Sequence, residues 1–219
     1  MKHGIDTEIW TYDHNFNTEP SQEGDDPGID YPLTVLRDPL ASRFVRGVAF
    51  HGYAGTPVGM SLLHKEFPDM PIYFTEGSTF GVKGAEEIIA LFENWASSYN
   101  AWVTCIDENR GPNRGPFEAT WTMITLDSKT NEIAYRFDYF MYGQFMNFIH
   151  RGAVRVGTES THEQSNHTAW KNPDGSMVLV VTNSQTAPTP LWVVAGETHF
   201  HTIRPPESVT TFVWRPPDR

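Results

Sequence analysis

The chain has 219 residues, 39% apolar and 13% aromatic, enough to bury a sizeable core and too many for a disordered chain. Twenty-seven acidic residues face 16 basic ones, a net charge of −11, which argues against binding nucleic acid or an anionic membrane through bulk charge. The one cysteine, Cys105, excludes an intrachain disulfide and any CxxC metal or redox site.

Met1-Lys2-His3-Gly4 runs straight into "IDTEIWTYD" without an apolar segment of signal-peptide length. No stretch approaches the roughly 20 apolar residues needed to span a bilayer. A soluble protein is expected, with its compartment left open. "TEIWTYD" (7–13) reads as a first strand. The following "NFNTEPSQEGDDPGIDYP" (15–32) is acidic, rich in Pro and Gly, and reads as irregular. "DPLASRFV" (38–45) opens with Asp38 as N-cap and Pro39 at the first helical position, which predicts a helix. "VRGVAFHGY" (45–53) is the second strand, "GMSLLHKEF" (59–67) a helix, and "PIYFTE" (71–76) the third strand. A helix is expected over 84–99, where Ile88, Leu91, Phe92 and Trp95 share a face, and a fourth strand over "NAWVTCI" (100–106). A further helix falls at about 135–149, carrying Phe137, Phe140, Met141, Phe145 and Phe148. Strand–helix alternation of this kind predicts parallel βα units.

After His150 the pattern becomes short, β-rich runs separated by turn residues. "AVRVGTES", "NHTAWKN", "SMVLVVTN", "PLWVVAG", "HFHTIR" and "SVTTFVWR" read as an antiparallel β-sandwich, with Pro173-Asp174-Gly175 as a hairpin turn. The expected fold is therefore α/β plus all-β. Residues 1–150 form half a (β/α)8 TIM-type barrel, and residues 151–219 form the sandwich. A complete (β/α)8 barrel takes about 250 residues, so the βα part is only half of one.

Each strand of the βα part ends in a polar or aromatic cluster: Asp13-His14-Asn15, His51-Gly52-Tyr53, Glu76-Gly77-Ser78 and Asp107-Glu108-Asn109. In parallel βα folds the C-terminal strand ends form the active face. Glu76 stands out, because burying an unpaired carboxylate at the end of the apolar run Ile72-Tyr73-Phe74 costs several kcal/mol. Tyr53 and Trp102 add flat faces on which a sugar ring can stack.

"RGVAFHGYAG", "IYFTEGS", "WVTCIDENRGPN" and "NPDGSMVLVVTNS" occur in an order and spacing that resembles glycoside hydrolase family 30, which includes glucosylceramidases, β-glucosidases, β-xylosidases and endo-β-1,6-glucanases. "IWTYDHNF" and "DYPLTVLRDPLASRFVRG" look like the family's fifth barrel strand and the segment after it, so the resemblance spans nearly the whole chain. It implies a retaining β-glycosidase acting on β-glucosides by double displacement, with no cofactor or metal. On the matching positions, Glu76 would be the nucleophile at the end of the seventh barrel strand. His51 and Tyr53 would flank and orient it, Asp13 would shape the pocket, and Trp102 would lie under the sugar. Asn113 occupies the family's GGPN position, here "RGPN". Ser78 and Gly77 stand where some members carry larger or sulfur-bearing residues, and Val103 replaces an expected asparagine.

The family's acid/base glutamate belongs to an Asn-Glu-Pro motif on the fourth barrel strand, which has no counterpart here. Asn17-Thr18-Glu19-Pro20 offers Glu19 as an acid/base candidate, although it lies in the loop after the first strand and holds one residue too many. Half a barrel leaves two open strand edges and puts Trp10, Phe50 and Trp102 near water. A homodimer related by a two-fold axis would close the eight strands. The alternative expectation is a truncated homologue, weakly active or inactive, that binds carbohydrate or serves assembly.

Four other signals read as structural. His199 and His201 ("HFH") have a spacing compatible with zinc but no third ligand, and His162 and His167 lie in a loop. Asp25, Asp26 and Asp30 lack EF-hand spacing. Cys105, inside an apolar run, reads as a core residue.

Overall fold

The computed structural model describes residues 4, 6–16, 29–112, 119–161 and 166–217. The chain divides into two compact units, Met1–Ser78 with Ala90–Trp102, and Thr79–Ile89 with Val103–Arg219.

The first unit is built on β1 (Ile9–Asn15), β2 (Val45–His51), β3 (Ile72–Gly77) and β4 (Ala96–Ala101), hydrogen-bonded in chain order and parallel throughout. The connections carry α1 (Asp30–Arg37), α2 (Val58–Glu66) and α3 (Gly81–Glu93). Side chains alternate along a strand. In β3, Ile72 and Phe74 therefore face the helices, while Tyr73 and Thr75 face the other way. Val48, Phe50, Ile72 and Phe74, none more than 1% exposed, pack in one core with Leu33 and Leu36 of α1, Met60 and Leu63 of α2, and Leu91 of α3. Burying each such side chain contributes about 1.5–3 kcal/mol. On the opposite face Trp10 stacks on Tyr73 with ring centroids 4.0 Å apart. Gly47 lies beneath them, and a Cβ there would come within 2.5 Å of the Tyr73 ring. Phe50 thus belongs to the helix-side core, whereas Trp10 and Trp102 are the residues left part-exposed.

Several element boundaries differ from the sequence reading. The helix expected at 38–45 is replaced by α1, which starts at Asp30 with Pro32 in its first turn. The Asp38 carboxylate accepts the N–H groups of Leu40 and Ala41, as a cap would, but the chain then makes only a short 3-10 turn, Ser42–Phe44, before β2. The helix expected to reach residue 99 stops at Glu93. Trp95 takes φ 76° and stacks on His64, and the remaining residues become β4. The run "NAWVTCI" is not one strand. Trp102 makes a last bond to β3, its N–H donating to Gly77 O at 2.9 Å, and the chain then leaves the sheet. Cys105 opens β5 (Cys105–Asp107) in a different sheet and is exposed rather than a core residue.

The second unit contains β5 with β6 (Ile124–Leu126) and β7 (Ile133–Tyr135), and α4 (Phe137–Met146). All six expected sandwich strands form: β8 (Val154–Val156), β9 (His167–Lys171), β10 (Met177–Asn183), β11 (Thr189–Ala195), β12 (Thr198–Arg204) and β13 (Ser208–Trp214). One antiparallel sheet has the order β13-β10-β9-β8, and β11 pairs with β12 in the other. Residues 178–183 of β10 are buried on both faces, as befits a central strand. The rings of Phe200 on β12 and Phe212 on β13, 5.2 Å apart, join the two sheets. Parallel βα units of a partial barrel are followed by an antiparallel β-sandwich. Among the described residues no helix is long and apolar enough to cross a membrane.

Candidate active site

Glu76 lies at the C-terminal end of β3, in the first unit, opposite His51 of β2 in the strand register. Its side chain is one-third exposed, so its charge is partly shielded without being sealed from water. His51 Nδ1 stands 4.0 Å from Glu76 Oε1. On the other side of the ring, Nε2 lies 3.1 Å from Asp13 Oδ1. The imidazole therefore sits between two carboxylates carried by two different neighbouring strands.

Two irregularities bring these groups together. In β1 the register to β2 passes from Tyr12–Ala49 to His14–Phe50, leaving Asp13 as an extra residue. Tyr12 and Asp13 both take positive φ, 81° and 55°, which side chains other than glycine adopt at a cost. In β3 the register passes from Phe50–Phe74 to His51–Glu76, leaving Thr75 as an extra residue. The two extra residues meet across β2, the Thr75 hydroxyl lying 2.7 Å from Asp13 Oδ1.

Tyr53, just past β2, completes the group. Its backbone N–H donates to Asn15 Oδ1 at 3.1 Å, and its ring meets His51 edge-on at 6.4 Å. Its phenol lies close to both Glu76 and Ser78. Burial first, and then the Glu76 charge, push its pKa up to about 12, against the opposing effect of the Ser78 hydrogen bond. The phenol is therefore neutral throughout the physiological range. The Ser78 hydroxyl donates to Trp102 O at 2.9 Å, which ties the end of β3 to the part-exposed indole. Tyr99 of β4 reaches the same strand end, its hydroxyl 3.3 Å from Gly77 O.

Of the residues singled out in the sequence, Asp13, His51, Tyr53, Glu76, Ser78 and Trp102 lie in this unit, linked through the contacts above. Glu19 and Asn113 lie outside the described residues, as do His162, Asp25 and Asp26. Asp107-Glu108-Asn109 does not end a strand of the four-stranded parallel sheet; it ends β5 in the second unit. There it is satisfied locally. Asp107 Oδ1 accepts the N–H groups of Asn109 and Gly111, and both the hydroxyl and the backbone N–H of Ser128 draw the Glu108 pKa down to about 2. The Asp13–Thr75 contact had no signal of its own in the sequence, since a one-residue bulge leaves no mark on an apolar pattern.

A family model described as the glycosyl hydrolase family 30 beta sandwich domain matches residues 152–212. An endo-1,6-beta-D-glucanase of Neurospora crassa is 34% identical over 198 residues, covering 82% of this chain and 38% of that protein. The lysosomal acid glucosylceramidase of Mus musculus is 27% identical over 208 residues, covering 83% and 39%. The solved structure of the endo-beta1,6-glucanase BT3312 superposes with a TM-score of 0.84 at 25% identity, covering 97% of this chain and 50% of that one.

The chain belongs to glycoside hydrolase family 30. This family 30 chain spans less than two-fifths of the length of these two curated relatives. The match to SrfJ from Salmonella typhimurium, with a TM-score of 0.83 at 22% identity, supports the fold alone.

Proposed function

We propose that this chain carries the nucleophile of a retaining β-glycosidase that hydrolyses β-glucosides by double displacement. Glu76 attacks the anomeric carbon, the glycosidic C–O bond breaks, and the departing oxygen takes a proton from a second carboxyl group. Water then attacks the glycosyl ester and gives up its proton to that same second group, releasing the sugar with retained configuration. Retaining chemistry requires the two carboxyls to be about 5–5.5 Å apart. Within this chain Glu19 is the candidate for the second. Asp13, His51, Tyr53, Ser78, Trp102 and Asn113 are assigned to the sugar-binding pocket.

The observation that carries the reading is Glu76 itself. It stands at a C-terminal strand end, beside a neutral phenol, and lies 4.0 Å from an imidazole. A nucleophile of this kind must be ionised and aimed rather than sequestered. The names of the two curated relatives, a 1,6-β-glucanase and a glucosylceramidase, support a β-glucoside as the substrate class.

Among the described residues, β1 and β4 end the parallel sheet, each with one edge unpaired in it. We assign closure of the barrel to a second copy related by a two-fold axis, which would place four further strands against these edges. Light scattering tests this directly: a strictly monomeric particle rules the dimer out.

The enzymatic test uses dinitrophenyl β-glucoside, whose leaving group barely needs an acid. A burst of dinitrophenol that disappears in Glu76→Gln, with the retained anomer formed first, is the expected result. One second reading is a module that binds carbohydrate without turning it over. Sugar binding without any burst would establish that reading and overturn the first.

A further inference from the structure

Thr75 is a member of the cluster to which the catalytic reading gives no task. Its hydroxyl has two oxygen neighbours, Asp13 Oδ1 at 2.7 Å and Phe50 O at 3.2 Å. A hydroxyl carries a single proton, and the shorter contact, to a carboxylate, takes it. Asp13 and Thr75 are the extra residues of facing bulges on β1 and β3, and this hydrogen bond is what joins them over β2. An ionised carboxylate can only accept. The 3.1 Å contact from Asp13 Oδ1 to His51 Nε2 therefore requires a hydrogen on Nε2. A neutral imidazole holds one N–H, which leaves Nδ1 bare on the side facing Glu76 Oε1.

The geometry points to Thr75 as a positioning residue: by holding Asp13 in its bulge, it fixes His51 in the Nε2–H tautomer and makes Nδ1, beside Glu76, the only place where the ring can gain or lose a proton. The groups around the ring are Asp13 from β1, Glu76 from β3, Tyr53 beyond β2, and His14, whose ring centroid is 6.3 Å away. The consequence for turnover rests on the reading of Glu76 as nucleophile; the tautomer does not.

The test is ring 15N NMR on the full chain, with His51→Gln identifying the His51 signals. The neutral ring is expected as the Nε2–H tautomer in the parent and in Thr75→Ser, and as a mixture in Thr75→Val. An Nδ1–H ring in the parent overturns the proposal without recourse to any variant. So does a Thr75→Val ring identical to the parent's. In turnover of dinitrophenyl β-glucoside, Thr75→Val is expected to lose kcat with KM unchanged, and Thr75→Ser to restore it. A Thr75→Val loss confined to KM would overturn the positioning role. A parent that shows the Nε2–H tautomer but no Glu76-dependent burst would refute the glycosidase reading and leave the tautomer assignment standing.

Discussion

The phenol of Tyr53 lies beside the carboxylate of Glu76, whose charge is, after burial, the second cause that raises the phenol's pKa. Burial and the charge act in the same direction, and both favour a neutral tyrosine beside Glu76.

This pairing predicts a titration. Ultraviolet absorbance should show one tyrosine ionising near pH 12, and Glu76→Gln should move it downward, because the variant removes the negative charge but leaves the burial. The sign for stability follows from the raised value. Below the ordinary value of 10.0 the group is protonated in both folded and unfolded chains; between there and about 12 only the unfolded chain releases the proton. Stability should fall as pH rises through that window, less steeply in Tyr53→Phe. An equal slope in parent and variant would contradict the assignment.

The strained residue Asp13 separates backbone from charge. Asn tolerates positive φ better than other non-glycine residues, whereas Ala does not. Asp13→Asn should therefore keep most of the thermal stability while losing the carboxylate that holds His51. Asp13→Ala should lose about 1–2 kcal/mol more, a cost of holding that conformation. Thermal unfolding of the two variants checks the difference; equal melting temperatures would mean the bulge carries no strain.

Gly77 follows Glu76 and lies against the buried ring of Phe74, which a Cβ at this position would overlap. Gly77→Ala should destabilise by about 1–3 kcal/mol, the usual cost of overfilling a packed core. Denaturant unfolding measures it directly. A neutral result would show that Phe74 can move aside.

Glu108 offers a control far from the nucleophile in the sequence. Ser128 supplies the two leading causes of its lowered value, a hydroxyl and a backbone N–H. Ser128→Ala removes the hydroxyl and should raise the Glu108 midpoint from about 2 toward the ordinary value of 4.5. The stability tied to this group is present above that ordinary value and is lost as pH falls toward 2 in the parent. Carboxylate NMR titration reads the change; an unmoved midpoint would deny Ser128 its role.

What was legible in the sequence follows the strength of the local signal. The three strands that carry Asp13, His51 and Glu76, and all six sandwich strands, were visible because apolar and turn residues alternate clearly there. β4 was not, since "ASSYN" has poor strand propensity and owes its conformation to pairing with β3. Trp95 misled for the opposite reason. It continues a helical apolar face in sequence, yet it sits in a turn against His64. Glu76, His51 and Tyr53 were found because motif and strand end coincide. Thr75 was passed over because its importance comes from register, which only pairing between strands reveals.

The extra residue on β1 has one more effect. β1 ends the parallel sheet, and a regular, flat border strand would accept any extended peptide that came alongside. Asp13 interrupts the upper part of that border with a twist and an acidic side chain. A neighbouring strand can therefore lie flush only along Ile9–Thr11 and must make room for the kink beyond. The residue that holds the imidazole thus also restricts which chains can zip onto the sheet.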